Sequence, residues 1–340
     1  MNFDLMFTIG IDVGGTQIRV AALDPDGRIL SPRRAPTPRS GDELFDWIAL
    51  EIQRIRSESE SGPTSAVGLA LPGIVDRERG VLVRSVNLPF LESRPIREEL
   101  ANRIGLPVAL MSDADAATWG EYSACTPRPG AFVHLRLGTG VACGIVVDGR
   151  FQSTGIDRRT HWEVLAVDDG PEAAPCPCGL RGCLETIASG PALERQAATM
   201  AYEDGLAGLQ SAWGRCEPAA RVIVARVADA LVSGICNLKS QIQDCPLPHG
   251  RGSDGTDPFA VLVCLGGGVI TALPCLVEQT AIHLRSRDDD FTRRVTVHPS
   301  RLGDDAGVIG AAMPARDAPT KSRQSSEPQA QASGRSEPRP

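Results

Sequence analysis

Two aspartates of this chain, Asp12 and Asp113, stand where a carboxylate could do chemistry. Asp12 sits at the mouth of a glycine turn in Ile9-Gly-Ile-Asp-Val-Gly-Gly-Thr-Gln-Ile-Arg-Val-Ala-Ala-Leu-Asp24. Gly14 and Gly15 let backbone N–H groups approach an anion with no Cβ in the way, Thr16 adds a hydroxyl donor, and the carboxylate suits a hydrated Mg2+. A plain hairpin with a Gly-Gly turn accounts for the same residues, so a second such loop carries weight. Leu135-Arg-Leu-Gly-Thr-Gly-Val-Ala-Cys-Gly-Ile-Val-Val-Asp-Gly149 repeats the design, with Gly138, Thr139 and Gly140 in the turn. Asp113 follows the apolar run Leu106 to Met111 and opens the next helix within Ser112-Asp-Ala-Asp115. The carboxyl end of a strand and the start of a helix is where ligands of α/β folds collect and where the helix dipole favours a negative charge, so Asp113 is the candidate general base. Capping the helix is the plainer role for Asp113 or Asp115.

A third glycine cluster, Gly266-Gly267-Gly268, ends the apolar run from Val261 and leads into a helix, a place for a nucleoside to lie against bare backbone. The order of phosphate loop, phosphate loop and adenosine loop is that of the actin-like ATPase and sugar kinase fold, a ribonuclease H-like α/β architecture with two similar lobes around a nucleotide cleft. None of these three loops is a Gly-Lys-Ser/Thr loop or a Gly-x-Gly-x-x-Gly dinucleotide fingerprint. Cys176-Pro-Cys-Gly-Leu-Arg-Gly-Cys183 gathers three thiols in a glycine-bearing turn, a spacing that can wrap one Zn2+ but leaves a fourth ligand to be found.

These groups need elements to position them. Ile9 to Asp24 and Leu135 to Gly149 are expected as strand, turn, strand, and Pro32 to Ser40 as a Pro/Arg-rich connector. Asp42 to Arg56 has apolar residues at helical spacing behind an acidic first turn. Val67 to Val75 is a strand broken at Pro72-Gly73, with Val81 to Val83 pairing back, and Pro95 to Ile104 is a short helix. Pro218 to Gln243 is a long helix with one buried face, Asp244 to Pro258 a surface loop, and Leu302 to Met313 the last ordered unit. Residues 1–120 form the first lobe, 121–315 the second, and 316–340, rich in Ser, Pro, Gln and Arg, a disordered tail.

The chain has 340 residues, 42% of them apolar, enough for two separate cores, and no apolar run of membrane-spanning length. A net charge of -7 with acidic and basic residues interspersed argues against a nucleic-acid surface and points to a small-molecule partner. The first residues lack a basic and apolar leader pattern, which places the chain in the cytoplasm. Four of the 10 cysteines, Cys143, Cys236, Cys264 and Cys275, lie inside apolar runs, as core residues of a reducing compartment do.

Taken together, Asp12-Val-Gly-Gly-Thr16, Leu71-Pro-Gly73, Asn87-Leu-Pro89, Asp113-Ala114, Leu137-Gly-Thr-Gly140, the cysteine cluster through Leu184-Glu185, Gly266-Gly-Gly268 and Gly303-Asp-Asp-Ala-Gly-Val-Ile-Gly-Ala311 resemble the ROK family of bacterial sugar kinases and sugar-responsive repressors, over roughly residues 7–313. The resemblance implies ATP-dependent phosphorylation of glucose or a similar hexose, with Mg2+, Asp113 as base, a structural Zn2+ and a homodimer. It implies sugar contacts at Gly73, Asn87, Ser112, Asp113 and Glu185. The first strand begins by about residue 7, which leaves no room ahead of it for the helix-turn-helix of ROK repressors.

Three positions depart from the family pattern. Ser112 replaces the Asn that usually precedes the catalytic Asp, Ala142 replaces a glycine of the second loop, and the Glu-x-Gly-His tetrad is missing. Two alignments compete for the tetrad. In one, Glu163-Val-Leu-Ala166 occupies it, so that Glu163 binds sugar and the zinc-binding His is lost; in the other, His161 is the surviving ligand and Arg158 stands where Glu should be. A degenerate site that binds sugar or nucleotide as a sensor is the alternative to a kinase.

Overall fold

Two five-stranded sheets of the same topology carry the glycine turns at corresponding places in a computed structural model that describes residues 7–58, 63–152, 166–168, 170–243 and 260–316. In the first, β1 (Phe7–Val13) pairs antiparallel with β2 (Gln17–Leu23) and parallel with β4 (Thr64–Leu71), which pairs parallel with β7 (Val108–Ser112). In the second, β8 (Ala131–Leu137) pairs antiparallel with β9 (Val141–Val147) and parallel with β11 (Val261–Gly266), which pairs parallel with β12 (Val295–Pro299). The edges are β3 (Ile29–Pro36) and β10 (Arg150–Phe151). A short hairpin, β5 (Ile74–Asp76) and β6 (Val81–Arg84), forms a third, two-stranded sheet.

Each sheet has its own core. In α1 (Gly41–Glu58) the buried Leu44, Phe45, Ile48, Ile52 and Ile55 recur at helical spacing and pack on Ile9, Ile11 and Leu69 of the first sheet, with α2 (Ile96–Ile104) beside them. The second core joins Leu135, Leu137 and Val263 to Val224, Val227 and Leu231 of α7 (Pro218–Asn237). Around it lie α4 (Glu185–Ala188), α5 (Gly190–Thr199), α6 (Gly205–Gly214), α8 (Lys239–Gln243), α9 (Gly268–Ala272) and α10 (Cys275–Arg287).

Two helices join the lobes. The helix α3 (Asp113–Ser123) leaves β7 and lies on β9, while α11 (Ala306–Arg316) leaves the second sheet and returns to pack on β1, β4 and α3. The approach is backbone to backbone. A Cβ on Gly10 would lie 2.0 Å from the Val308 carbonyl, one on Gly68 1.7 Å from Ala311 O, and one on Gly310 1.7 Å from Ala116 O, so only glycine fits at these positions.

Three expectations need correcting. Residues 121–315 do not all belong to the second lobe, because α11 fills the glycine-lined face of the first sheet. Pro32 to Ser40 is not merely a connector: Ile29–Pro36 is the edge strand β3, which tolerates Pro32 because an edge residue needs no ladder N–H on its outer side. The long helix after Pro218 stops at Asn237, and a separate short helix covers Lys239–Gln243. Residues 244–258 and 317–340 lie outside the described residues. Among the described residues no helix is long and apolar enough to cross a membrane.

Candidate active site

The first turn closes with Gly14 N–H donating to Gln17 O at 2.8 Å, and Thr37 braces it, its N–H donating to Thr16 O at 3.0 Å and its hydroxyl to Gly14 O at 2.7 Å. Thr16 is exposed at the tip. A Cβ on Gly15 would come within 3.2 Å of Asn87, so Asn87, itself exposed, lies against this turn. Gly73 takes φ +128, where a side chain would come within 2.2 Å of Arg84 O; glycine is needed there for both reasons.

The second turn closes with Gly138 N–H donating to Gly140 O at 2.9 Å. Two helix starts hold it. Glu185, the first residue of α4, accepts the Val141 N–H at 3.0 Å through Oε2, and Gly190, the first residue of α5, donates its N–H to Gly138 O at 2.7 Å. The third loop lies alongside: Gly267, at φ +91, would put a Cβ 2.3 Å from Leu137 O, while Gly138 and Gly268 face open space. The second and third glycine loops therefore meet at the end of β8.

Asp12 is the last residue but one of β1, and its carboxylate packs against the first turn of α11, where a Cβ on Gly307 would approach Oδ2 to 2.5 Å. Burial pushes its pKa up to about 6, and the nearby Asp113 charge pushes the same way; Arg136 and then Arg19 pull it down. Asp12 and Asp113 are thus near each other, one near the end of β1 and the other at the start of α3. Arg19 is engaged by Asp304, at 2.6 Å to its carboxylate and 2.9 Å to its carbonyl. An ionised oxygen ligand on the cleft floor fits Mg2+, which takes a carboxylate or two together with substrate phosphates.

Ser112 is used differently from the role the resemblance implies. It is 2% exposed, and its Oγ caps α3 by accepting the Asp115 N–H at 3.1 Å. Asp115 in turn pairs with Arg77 at 2.8 Å. Neither capping role expected for an aspartate falls to Asp113, because the serine takes it.

The sulfurs of Cys176, Cys178 and Cys183 lie within 4.8 Å of one another, and Cys178 and Cys183 are 3.5 Å apart. Zinc bonded at about 2.3 Å to each thiolate would hold tetrahedral sulfurs about 3.8 Å apart, so three corners fit. His161 and Glu163, the residues through which the two alignments compete, lie outside the described residues. The cluster adjoins the second turn through Glu185, whose Oε1 is 4.0 Å from Cys176 Sγ.

Two residues that the sequence reading passed over matter here. Glu121, 2% exposed, accepts the hydroxyl of Ser300 and the N–H groups of Arg301 (3.0 Å) and Leu302 (2.9 Å), and so ties α3 to the segment leading into α11. Arg136 stands two residues before Gly138 in a mostly apolar strand, the one arginine in Phe132-Val-His-Leu-Arg-Leu137.

The model of the ROK family matches residues 8–246 of this chain. A glucokinase of Streptomyces coelicolor is 35% identical over 195 residues, a match that spans 56% of this chain and 58% of that protein. An N-acetylmannosamine kinase of Salmonella typhi is 30% identical over 315 residues, 91% of this chain and 98% of that one. Among solved structures, a ROK hexokinase from Thermus thermophilus superposes with a TM-score of 0.72 at 29% identity, covering 92% of this chain and 98% of its own. A ROK family glucokinase from Streptomyces griseus, solved with glucose and AMPPNP, does so with a TM-score of 0.66 at 27% identity, covering 92% and 100%. The two-lobed actin-like ATPase and sugar kinase fold expected from the order of the glycine loops is the one this chain has.

Proposed function

Because this chain belongs to the ROK family, we propose that it is an ATP-dependent sugar kinase acting on a hydroxyl of glucose or a similar hexose. What carries the reading is that the Asp113 charge lies close enough to Asp12 to help raise its pKa, in a chain whose two glycine turns are each braced by backbone hydrogen bonds. Asp113 takes the proton of the sugar hydroxyl as its oxygen attacks the γ-phosphorus. The backbone N–H groups of the two turns, with Thr16 and Thr139, hold the phosphates. Mg2+ held by Asp12 would neutralise charge on the phosphate chain, so the rate comes from positioning and electrostatics. Gly73, Asn87, Glu163 and Glu185 form the sugar side; Gly266, Gly267 and Gly268 receive the nucleoside. A zinc ion on Cys176, Cys178 and Cys183 would fix the loop that ends in Glu185. We further propose a homodimer with two lobes per chain.

Ser112 supports a second reading. Its oxygen accepts the Asp115 N–H, and it is shorter and offers fewer hydrogen-bonding groups to a sugar than the amide of an Asn, which suits a sensor that binds without turnover.

The test is sugar-dependent ADP formation from ATP and Mg2+ across glucose, mannose and N-acetylmannosamine. Loss of the base in Asp113→Asn should lower kcat by about 10²–10⁴-fold. Calorimetric sugar binding with no turnover favours the sensor, and a variant as active as the wild type removes Asp113 from its role.

A further inference from the structure

We propose that Arg136 is a further catalytic residue, the guanidinium that grips the transferring phosphoryl group. This rests on the kinase reading above. Along β8, Val133, Leu135 and Leu137 are fully buried in the second core, so Phe132, His134 and Arg136 face the opposite side, towards α3. Two contacts fix how α3 lies along that face. Tyr122 packs on Phe132 with ring centroids 5.7 Å apart, and Thr118 covers Gly144, where a Cβ would come within 2.1 Å of its Oγ1; Gly144 is the β9 partner of His134.

Going from Tyr122 to Thr118 moves about 6 Å towards the start of the helix, and going from Phe132 to His134 moves about 6.7 Å along the strand. The same step once more brings Ala114, the neighbour of Asp113, over the row of Arg136 and its β9 partner Ala142. Phe132 and His134 are buried on the face that α3 covers, whereas Arg136 is exposed: the helix begins at Asp113, and among the described residues no element covers the strand beyond it. Arg136 is also close enough to Asp12 to oppose the rise in its pKa.

Among the described residues the donors of Arg136 have no partner. Arg19 is bonded to Asp304 and Arg77 to Asp115, but Arg136 makes no hydrogen bond or ion pair with the other described residues. An exposed arginine near the Asp12 carboxylate, two residues before the glycine turn at Gly138, can present its N–H groups, unpartnered among the described residues, to non-bridging phosphate oxygens. In the transfer, the bond from the γ-phosphorus to the β,γ-bridging oxygen breaks, the bond to the sugar oxygen forms, and the sugar proton goes to Asp113. Arg136 stays protonated throughout and stabilises the charge spread over the three equatorial oxygens.

Two variants, Arg136→Gln and Arg136→Lys, test this by steady-state kinetics and by calorimetry with Mg-ADP and Mg-AMPPNP. Arg136→Gln should lower kcat about 10²–10³-fold with little change in sugar KM, and should cut the preference for AMPPNP over ADP at least about tenfold, the value of one charge-assisted hydrogen bond. Arg136→Lys should restore part of both, since it keeps the charge but not the bidentate fork. Equal loss of ADP and AMPPNP affinity, or an Arg136→Gln enzyme within about threefold of wild type, overturns the proposal. If the wild type turns over no sugar, the kinase reading fails, while the two nucleotide affinities still judge whether Arg136 meets the γ-phosphate. A wild type that binds neither nucleotide overturns both.

Discussion

Replacing Asp12 with asparagine should make the protein more stable and useless at once. The Asp12 pKa rises from 3.8 to about 6, chiefly because its carboxyl is buried and then because Asp113 is close. At 1.36 kcal/mol per unit, that gap means ionised Asp12 costs the folded state ~3 kcal/mol. The folded pKa lies above the unfolded one, so the folded protein holds the extra proton between pH 3.8 and about 6, and this contribution to stability declines as pH rises through that window. Above it the penalty is complete and constant. Asp12→Asn removes the charge in nearly the same volume, so its advantage should be near zero below pH 4 and reach ~3 kcal/mol at pH 8. Urea unfolding of both proteins at a series of pH values reads this directly. Mg2+ should raise the midpoint of the wild type at pH 8 and leave the variant unmoved, because only the wild type offers it an ionised ligand. Equal stabilities at pH 8, or an advantage that does not vary between pH 4 and 8, would refute the reasoning.

The glycine contacts between the crossing helices give a second expectation. Gly310→Ala would drive a Cβ to 1.7 Å from Ala116 O, against backbone that cannot rotate away, and should destabilise the fold by about 3 kcal/mol or more in urea unfolding; a loss under about 0.5 kcal/mol means the helices slide freely. For the cysteine cluster, metal analysis of protein purified without chelators should find one zinc per chain, and Cys183→Ser should lose it together with several degrees of thermal midpoint. Wild-type protein free of zinc after such a purification would remove the metal from the account.

Much of this architecture was legible because glycine turns, strand alternation and an acidic helix start are local signals. Gly14, Gly15 and Gly138 mark turns wherever they fall, and Leu44, Ile48, Ile52 and Ile55 announce a helix face without reference to the rest of the chain. What escaped depends on distant partners. The strand β3 is held by its ladder to β2, with Arg33 opposite Val20 and Ala35 opposite Ile18, and its two prolines hide that pairing from local rules. The small residues Ala306, Gly307, Gly310 and Ala311 announce a close approach but not what is approached, which is the first sheet and α3. Ser112 read as a weakened substitute for asparagine, and only the bond to Asp115 gives it a task of its own.

The return of α11 separates the order of synthesis from the order of assembly. Gly10 and Gly68 leave the ribosome early, yet the face they share stays bare until Val308, Ala311 and Ala312 emerge and dock on it. A nascent first lobe therefore waits, with one side of its sheet open, while the whole second lobe is translated. The last described helix to be made thus closes the earliest sheet, and a ribosome halted before residue 306 would release a chain whose first sheet lacks the helix that covers its glycine-lined face.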